Sequence, residues 1–201
     1  MTTALKYLAT VLLLAAGLTG TAEASARAPF MTLTGPTAPP IGHYQFCQRL
    51  PRECSQTAPN ANPMVLTPDR WQTLLEVNYR VNTTIKPETD IQLYHVQEYW
   101  AIPTTAGDCE DYALLKRKIL IDAGFPESDL LMTVVLQPDG EGHAVLTVHT
   151  DRGDFILDNM RDKVSLWSDT DYTYLKRQSS LSDARWDKIT DGRPALVGSV
   201  R

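Results

Sequence analysis

The chain has 201 residues, 43% of them hydrophobic and 21% charged, with 13 prolines and 11 glycines. That composition excludes a disordered, collagen-like or coiled-coil chain, and the length suits one domain. A net charge of −5 leaves no basic footprint for nucleic acid, and three cysteines are too few for a disulfide-built scaffold or a four-cysteine zinc site.

Residues 1–24 read as a signal peptide. Lys6 supplies the positive start, Leu8 to Leu18 is an uncharged and mostly apolar run of 11 residues, and Ala22-Glu23-Ala24 gives a small-x-small cleavage site. Ala24-Ser25-Ala26 is a second cleavage option. A membrane span needs about 20 apolar residues, so this run is too short for one. No cysteine follows it to carry a lipid anchor, and no later segment approaches spanning length. The expected product has no membrane span and is periplasmic or secreted.

Export would place the thiols in an oxidising compartment, where nearby cysteines pair. Cys47 and Cys54 lie seven residues apart across the turn-like Leu50-Pro51-Arg52 and are expected to form a disulfide. Two free buried thiols, or a metal site shared with His43, are the weaker readings. Either way Cys109 is left alone. Residues 25–66 are rich in Pro, Thr, Ala and Asn and show no helical period. They read as an extended N-terminal arm, pinned by that bridge, ahead of a folded domain over residues 67–201.

Thr67-Pro68-Asp69 then opens a helix, with a cap, a first-turn proline and an early acid. Trp71, Leu74, Leu75, Asn78, Val81, Asn82 and Ile85 follow at three-four spacing and stop before Pro87. A short helix is expected between Ile91 and Trp100, ending near Pro103. Asp108 caps a further helix from Cys109 to Ala123, with Asp111 at its third position, Gly124 as the stop and Pro126 beyond. The pattern then turns to strands: Leu130 to Leu136, His143 to Val148, Asp154 to Leu157, and a fourth from Tyr172 to Arg177. Turns at Pro138-Asp139-Gly140 and Asp151-Arg152-Gly153 separate the first three. Helices first and an antiparallel meander after them predict an α+β fold.

Cys109 falls in the first turn of its helix, where free amide N–H groups and the helix dipole favour a thiolate. Gly107 lets the backbone approach closely. The carboxylates of Asp108, Glu110 and Asp111 oppose a thiolate, and a bound cation would remove that conflict; hard oxygen ligands of this kind suit Ca²⁺. The plainer alternatives are an inert buried cysteine and acids that only compensate the dipole. A nucleophile also needs a base. His143 opens a strand after Gly140-Glu141-Gly142, and Asp158 ends the next strand. A hairpin turning at residues 151–153 sets the two on a diagonal within reach of each other. Asp158 would then orient the imidazole and His143 would activate Cys109. His149 shares the strand parity of His143 but sits nearer the turn, so it ranks below. Trp100 is a candidate wall of the cleft.

Three blocks resemble the bacterial transglutaminase-like cysteine proteinases, and in particular the LapG-like periplasmic branch. They are Gly107-Asp108-Cys109-Glu110-Asp111-Tyr112-Ala113-Leu114-Leu115-Lys116-Arg117, Gly142-His143-Ala144-Val145-Leu146-Thr147-Val148 and Gly153-Asp154-Phe155-Ile156-Leu157-Asp158-Asn159. The pairs Val77-Asn78 and Val81-Asn82, the Tyr99-Trp100 step, the Phe46-Cys47 to Cys54 region and Lys176-Arg177-Gln178-Ser179 extend the likeness over nearly the whole mature chain. The resemblance implies a papain-like, transglutaminase-like fold, with N-terminal helices packed on an antiparallel sheet. It implies a Cys-His-Asp triad at Cys109, His143 and Asp158, and calcium held through Asp108 and Glu110. It also implies a protein substrate such as a large surface adhesin, with a role in biofilm release, and an inner-membrane c-di-GMP receptor as a regulatory partner. Only Thr104, Thr105 and Ala106 separate Pro103 from Gly107, which marks a shorter branch of the family. Two other readings stay open on the residues: a transglutaminase-type acyl transferase, and a non-catalytic calcium-binding or peptide-binding module.

Overall fold

The computed structural model describes residues 28–56 and 62–192. The expected signal peptide over residues 1–24 lies outside the described residues. The central run Leu130–Leu136 (β4) is apolar at six of its seven positions, with Thr133 the exception, because it is the middle strand of a seven-stranded sheet. The sheet order is β1-β9-β8-β4-β5-β6-β7. Its other strands are Thr32–Thr37 (β1), Gly142–Thr150 (β5), Gly153–Asp158 (β6), Arg161–Leu166 (β7), Thr173–Ser179 (β8) and Ser182–Thr190 (β9). All neighbours in it run antiparallel. A two-residue parallel pair, Lys86–Pro87 (β2) with Ala106–Gly107 (β3), stands apart from it.

Alternation along the strands gives the sheet two covered faces. Leu130, Met132, Leu146, Val148 and Leu157 share one core with Leu74, Val77, Val81, Tyr112, Ala113, Leu114 and Leu120 of the helices Pro68–Thr84 (α2) and Cys109–Asp122 (α4). Val135, Val145 and Ile156 point the other way, into a second core with Trp167, Tyr172 and Tyr174. The expected packing of helices on an antiparallel sheet is the observed one.

Both long helices start and stop as the sequence indicates. Thr67 accepts the Arg70 N–H at 3.2 Å at the start of α2. Gly124, with φ +82°, ends α4, a conformation that favours glycine. Asp108 stands at the α4 cap position, but its side chain makes no capping hydrogen bond. The expected helix between Ile91 and Trp100 is confined to Asp90–Tyr94 (α3), capped by a Thr89–Gln92 box and closed by His95 in the left-handed region.

The N-terminal segment differs from expectation. Among the described residues of the expected extended arm over 25–66, β1 pairs with β9 and Ile41–Arg49 (α1) is a helix, so this part is built into the fold and is not extended throughout. No side-chain cap opens α1. It is held by what it buries: Phe46, and His43, whose ring lies 5.4 Å from Trp100 and 5.2 Å from Trp186. Gly42 is required there, since an added Cβ would fall 2.3 Å from the Trp100 ring. Cys47 and Cys54 are disulfide-bonded, with Cα atoms 5.5 Å apart.

Candidate active site

Helix α4 delivers Cys109 to the beginning of β5. Its thiol donates to Glu110 Oε2 at 3.2 Å, and the nearby backbone of Ala144, the residue after His143, favours the charged form of the sulfur. Gly107 leaves room for the Asp111 side chain in the first turn of α4: a Cβ there would lie 2.6 Å from Asp111 Oδ2 and 2.7 Å from Asp111 Cβ. Cys109 is the one free cysteine among the described residues.

The β5–β6 register pairs Leu146 with Leu157. Extended by one step, it sets Asp158 on a two-residue diagonal from His143, as the hairpin reading expects. His143 Nε2 lies 2.9 Å from Asp158 Oδ1, with both residues buried. Burial raises the Asp158 carboxyl, but its hydrogen bonds to His143 and Tyr172 overcome that and hold it below the usual range. With Nε2 committed to Asp158, Nδ1 is the ring nitrogen left for a nucleophile. No hydrogen bond joins Cys109 to His143 among the described residues. Such contacts are often long in the absence of substrate.

His149 is paired elsewhere. Its Nδ1 lies 2.6 Å from Asp154 Oδ1 at the opposite end of β5. The same carboxylate takes Arg177 at 3.1 Å and the Met31 N–H at 2.7 Å, so this pair ties down the N-terminal segment. Trp100 is 2% exposed and belongs to the core.

The acids beside Cys109 form a cluster that reaches further than the sequence indicates. One carboxylate oxygen each of Asp90, Asp108 and Glu110 lie within 4.8 Å of one another. Burial raises the carboxyls of Asp90, Asp108 and Glu110 above their ordinary values, and repulsion from neighbouring carboxylates adds to this at Asp108 and Glu110. Asp90 Oδ1 and Asp108 Oδ1 are buried without a hydrogen-bond partner among the described residues. Buried, unpaired and crowded carboxylate oxygens are a donor set that fits a hard divalent cation. Burial and the neighbouring Glu110 also push the Cys109 thiol well above its ordinary value. Asp111 lies outside this trio. It accepts the Ala101 N–H at 2.7 Å, and burial pushes it up to about 8.

Sequence reading missed four participants. Asp90 opens a short helix 18 residues before Asp108, and the β2–β3 pairing, the Glu88 N–H to Gly107 carbonyl bond at 3.1 Å and the Asp90 N–H to Asp108 Oδ2 contact at 3.3 Å bring them together. Tyr172, read only as the start of a strand, donates its hydroxyl to Asp158 Oδ2 at 2.6 Å. Asn78 and Asn82, read as part of a helix face, hold the backbone around Asp158.

No helix among the described residues is long and apolar enough to cross a membrane. Comparison with known proteins gives a consistent assignment. No curated protein matches the chain. Solved structures of Legionella pneumophila LapG do. An EGTA-treated form is 28% identical, with a TM-score of 0.46, over 53% of this chain and 62% of that one. A calcium-bound form is 26% identical, with a TM-score of 0.51, over 63% of this chain and 73% of that one. The chain thus spans under two thirds of the length of the first of these. The model of the bacterial transglutaminase-like cysteine proteinases matches residues 33–194, and the chain belongs to that family.

Proposed function

We propose that the protein is an exported, calcium-dependent cysteine peptidase in which Cys109 is the nucleophile, His143 the acid–base group and Asp158 the residue that orients it. The observation that carries this reading is the buried 2.9 Å His143–Asp158 bond, with the free thiol of Cys109 at the start of the helix packed on the strand that bears His143. Family membership supports it.

In the first half-reaction the Cys109 proton passes to His143 Nδ1 and the sulfur bonds to the scissile carbonyl carbon. The carbon–nitrogen bond breaks, and His143 returns the proton to the leaving amine. In the second half, water gives a proton to His143 as its oxygen bonds to the acyl carbon. The sulfur–carbon bond breaks and the thiol is restored. The Cys109 backbone N–H, free at the helix start, is placed to stabilise the oxyanion.

Asp90, Asp108 and Glu110 would hold the calcium ion. Bound there, it supplies positive charge that offsets carboxylates otherwise opposed to a thiolate. Similarity to a calcium-bound LapG structure favours this ion. The substrate class is a protein, with a large surface adhesin as the specific candidate, and an inner-membrane c-di-GMP receptor as the candidate regulator.

The test is cleavage of an adhesin N-terminal fragment followed by mass spectrometry, with and without an added primary amine. Cleavage that Cys109→Ala abolishes is the expected result. An amine-bearing product would favour acyl transfer, and cleavage undiminished in Cys109→Ala would overturn the assignment.

A further inference from the structure

A carboxylate that must present one oxygen to an imidazole can turn about its Cβ–Cγ bond unless both oxygens are held. Asp158 is held at both. Oδ1 accepts His143 Nε2 at 2.9 Å and the Met160 N–H at 3.0 Å. Oδ2 accepts the Tyr172 hydroxyl at 2.6 Å, while Arg161 Nε stands off at 3.9 Å. Tyr172 also lies along the imidazole, its ring centroid 5.5 Å from that of His143 at an angle of 54°.

We propose that Tyr172 is a positioning residue of the peptidase reaction: its hydroxyl fixes the plane of the Asp158 carboxylate, and its ring sets the tilt of the His143 imidazole. This rests on the assignment of His143 and Asp158 given above.

Three features support the role. Tyr172 is 3% exposed, so water does not compete for the hydroxyl contact. Its ring is anchored in the second core with Val145 and Ile156, the β5 and β6 residues that share strand parity with His143 and Asp158. The Arg161 guanidinium lies 5.3 Å from the ring centroid and is itself held by Asp171 at 2.6 Å. Burial and the Asp158 charge keep the phenol protonated, so it donates and the carboxylate accepts. Any buried acceptor would satisfy a core tyrosine. Here the acceptor is the free oxygen of the group that orients the base, and the ring lies beside that base. A residue that holds an orienting group acts on geometry, and its loss appears in reactivity before it appears in folding.

The test is the rate at which iodoacetamide alkylates Cys109 near neutral pH in calcium-containing buffer, in the wild type and in Tyr172→Phe, with His143→Ala as the reference. The two other cysteines are disulfide-bonded, so the probe reports on Cys109. Tyr172→Phe keeps the ring and removes the hydroxyl. It is expected to alkylate about tenfold more slowly, the scale of one hydrogen bond to a charged group. The downfield proton resonance of the His143 Nε2–H should shift or broaden, while circular dichroism shows the variant folded. Alkylation at the wild-type rate with an unmoved resonance would overturn the role of Tyr172. If His143→Ala itself reacts at the wild-type rate, the His143 assignment falls instead, so the two failures are distinguishable. Should Tyr172→Phe not fold, the wild type still decides. A slowly exchanging Tyr172 hydroxyl proton with an Overhauser contact to the His143 ring supports the proposal, and a freely exchanging one overturns it.

Discussion

Asn78 on α2 accepts the backbone N–H of Asp158 on β6 at 3.1 Å, across 80 residues of chain. The same side chain donates to the carbonyls of Arg161 at 2.9 Å and Asp162 at 3.0 Å. One turn on, Asn82 donates to the Asp158 carbonyl at 2.9 Å. A helix face thus clamps the turn that carries the residue facing His143.

Asn78→Ala removes three contacts at a fully buried position, and the Arg161 carbonyl keeps only a longer contact to Asn82 at 3.4 Å. We expect a loss of about 2–4 kcal/mol in urea denaturation. At temperatures where the variant stays folded, Cys109 alkylation should also slow, because Asp158 is no longer held from behind.

Asp90→Asn removes a carboxylate charge from the trio without changing its size. Calcium affinity by calorimetry is expected to fall at least about tenfold, with a smaller effect from the equivalent change at Asp111. Chelation should lower the melting temperature of the wild type more than that of Asp90→Asn. Equal calcium affinity in the two proteins would remove Asp90 from the site.

Gly107→Ala places a methyl group 2.6 Å from Asp111 Oδ2, so Asp111 or the start of α4 must move. Overpacking of this kind costs about 1–3 kcal/mol. The denaturation midpoint should fall accordingly. Cys109 reactivity should fall with it, since the first turn of α4 shifts. Gly140→Ala is the control for crowding: nothing lies within 4 Å of its Cβ position, and only its positive φ is strained.

His43 is buried between Trp100 and Trp186, and burial, with the Arg117 charge, lowers it from 6.5 to about 4. The unfolded chain therefore binds this proton more readily than the folded one. The stability His43 contributes is complete above about pH 6.5 and is lost as pH falls toward 4, by about 3 kcal/mol. His43→Gln should be less stable at pH 7 and should show a flatter profile between pH 6.5 and 4. Urea midpoints across that range, wild type against variant, measure the difference.

Much of the site is legible in the residues taken alone. Cys109 at the start of α4, the glycine stop at Gly124 and the strand Leu130–Leu136 depend on contacts within a few residues, which composition and period report directly. Even the His143–Asp158 diagonal follows from the length of one hairpin, because a turn at 151–153 sets the register for both strands. The chain by itself therefore determined the helices α2 and α4, the β4–β6 meander and the three blocks that bear the Cys, His and Asp.

Tertiary structure decided the rest. Helix α1 has no cap and a sequence without clear helical period, and it exists because Phe46 and His43 are buried against aromatic residues more than 50 positions away. Asp90 joins Asp108 and Glu110 only when a loop folds back on the start of α4. Tyr172 follows Asp158 by 14 residues, after β7 and just before β8, and reaches it along a path that no local pattern encodes. Local hydrogen bonding and periodicity are written into neighbouring residues. The partners of a buried carboxylate are chosen by whichever segments the core brings to it, and that choice is made only when the chain has folded.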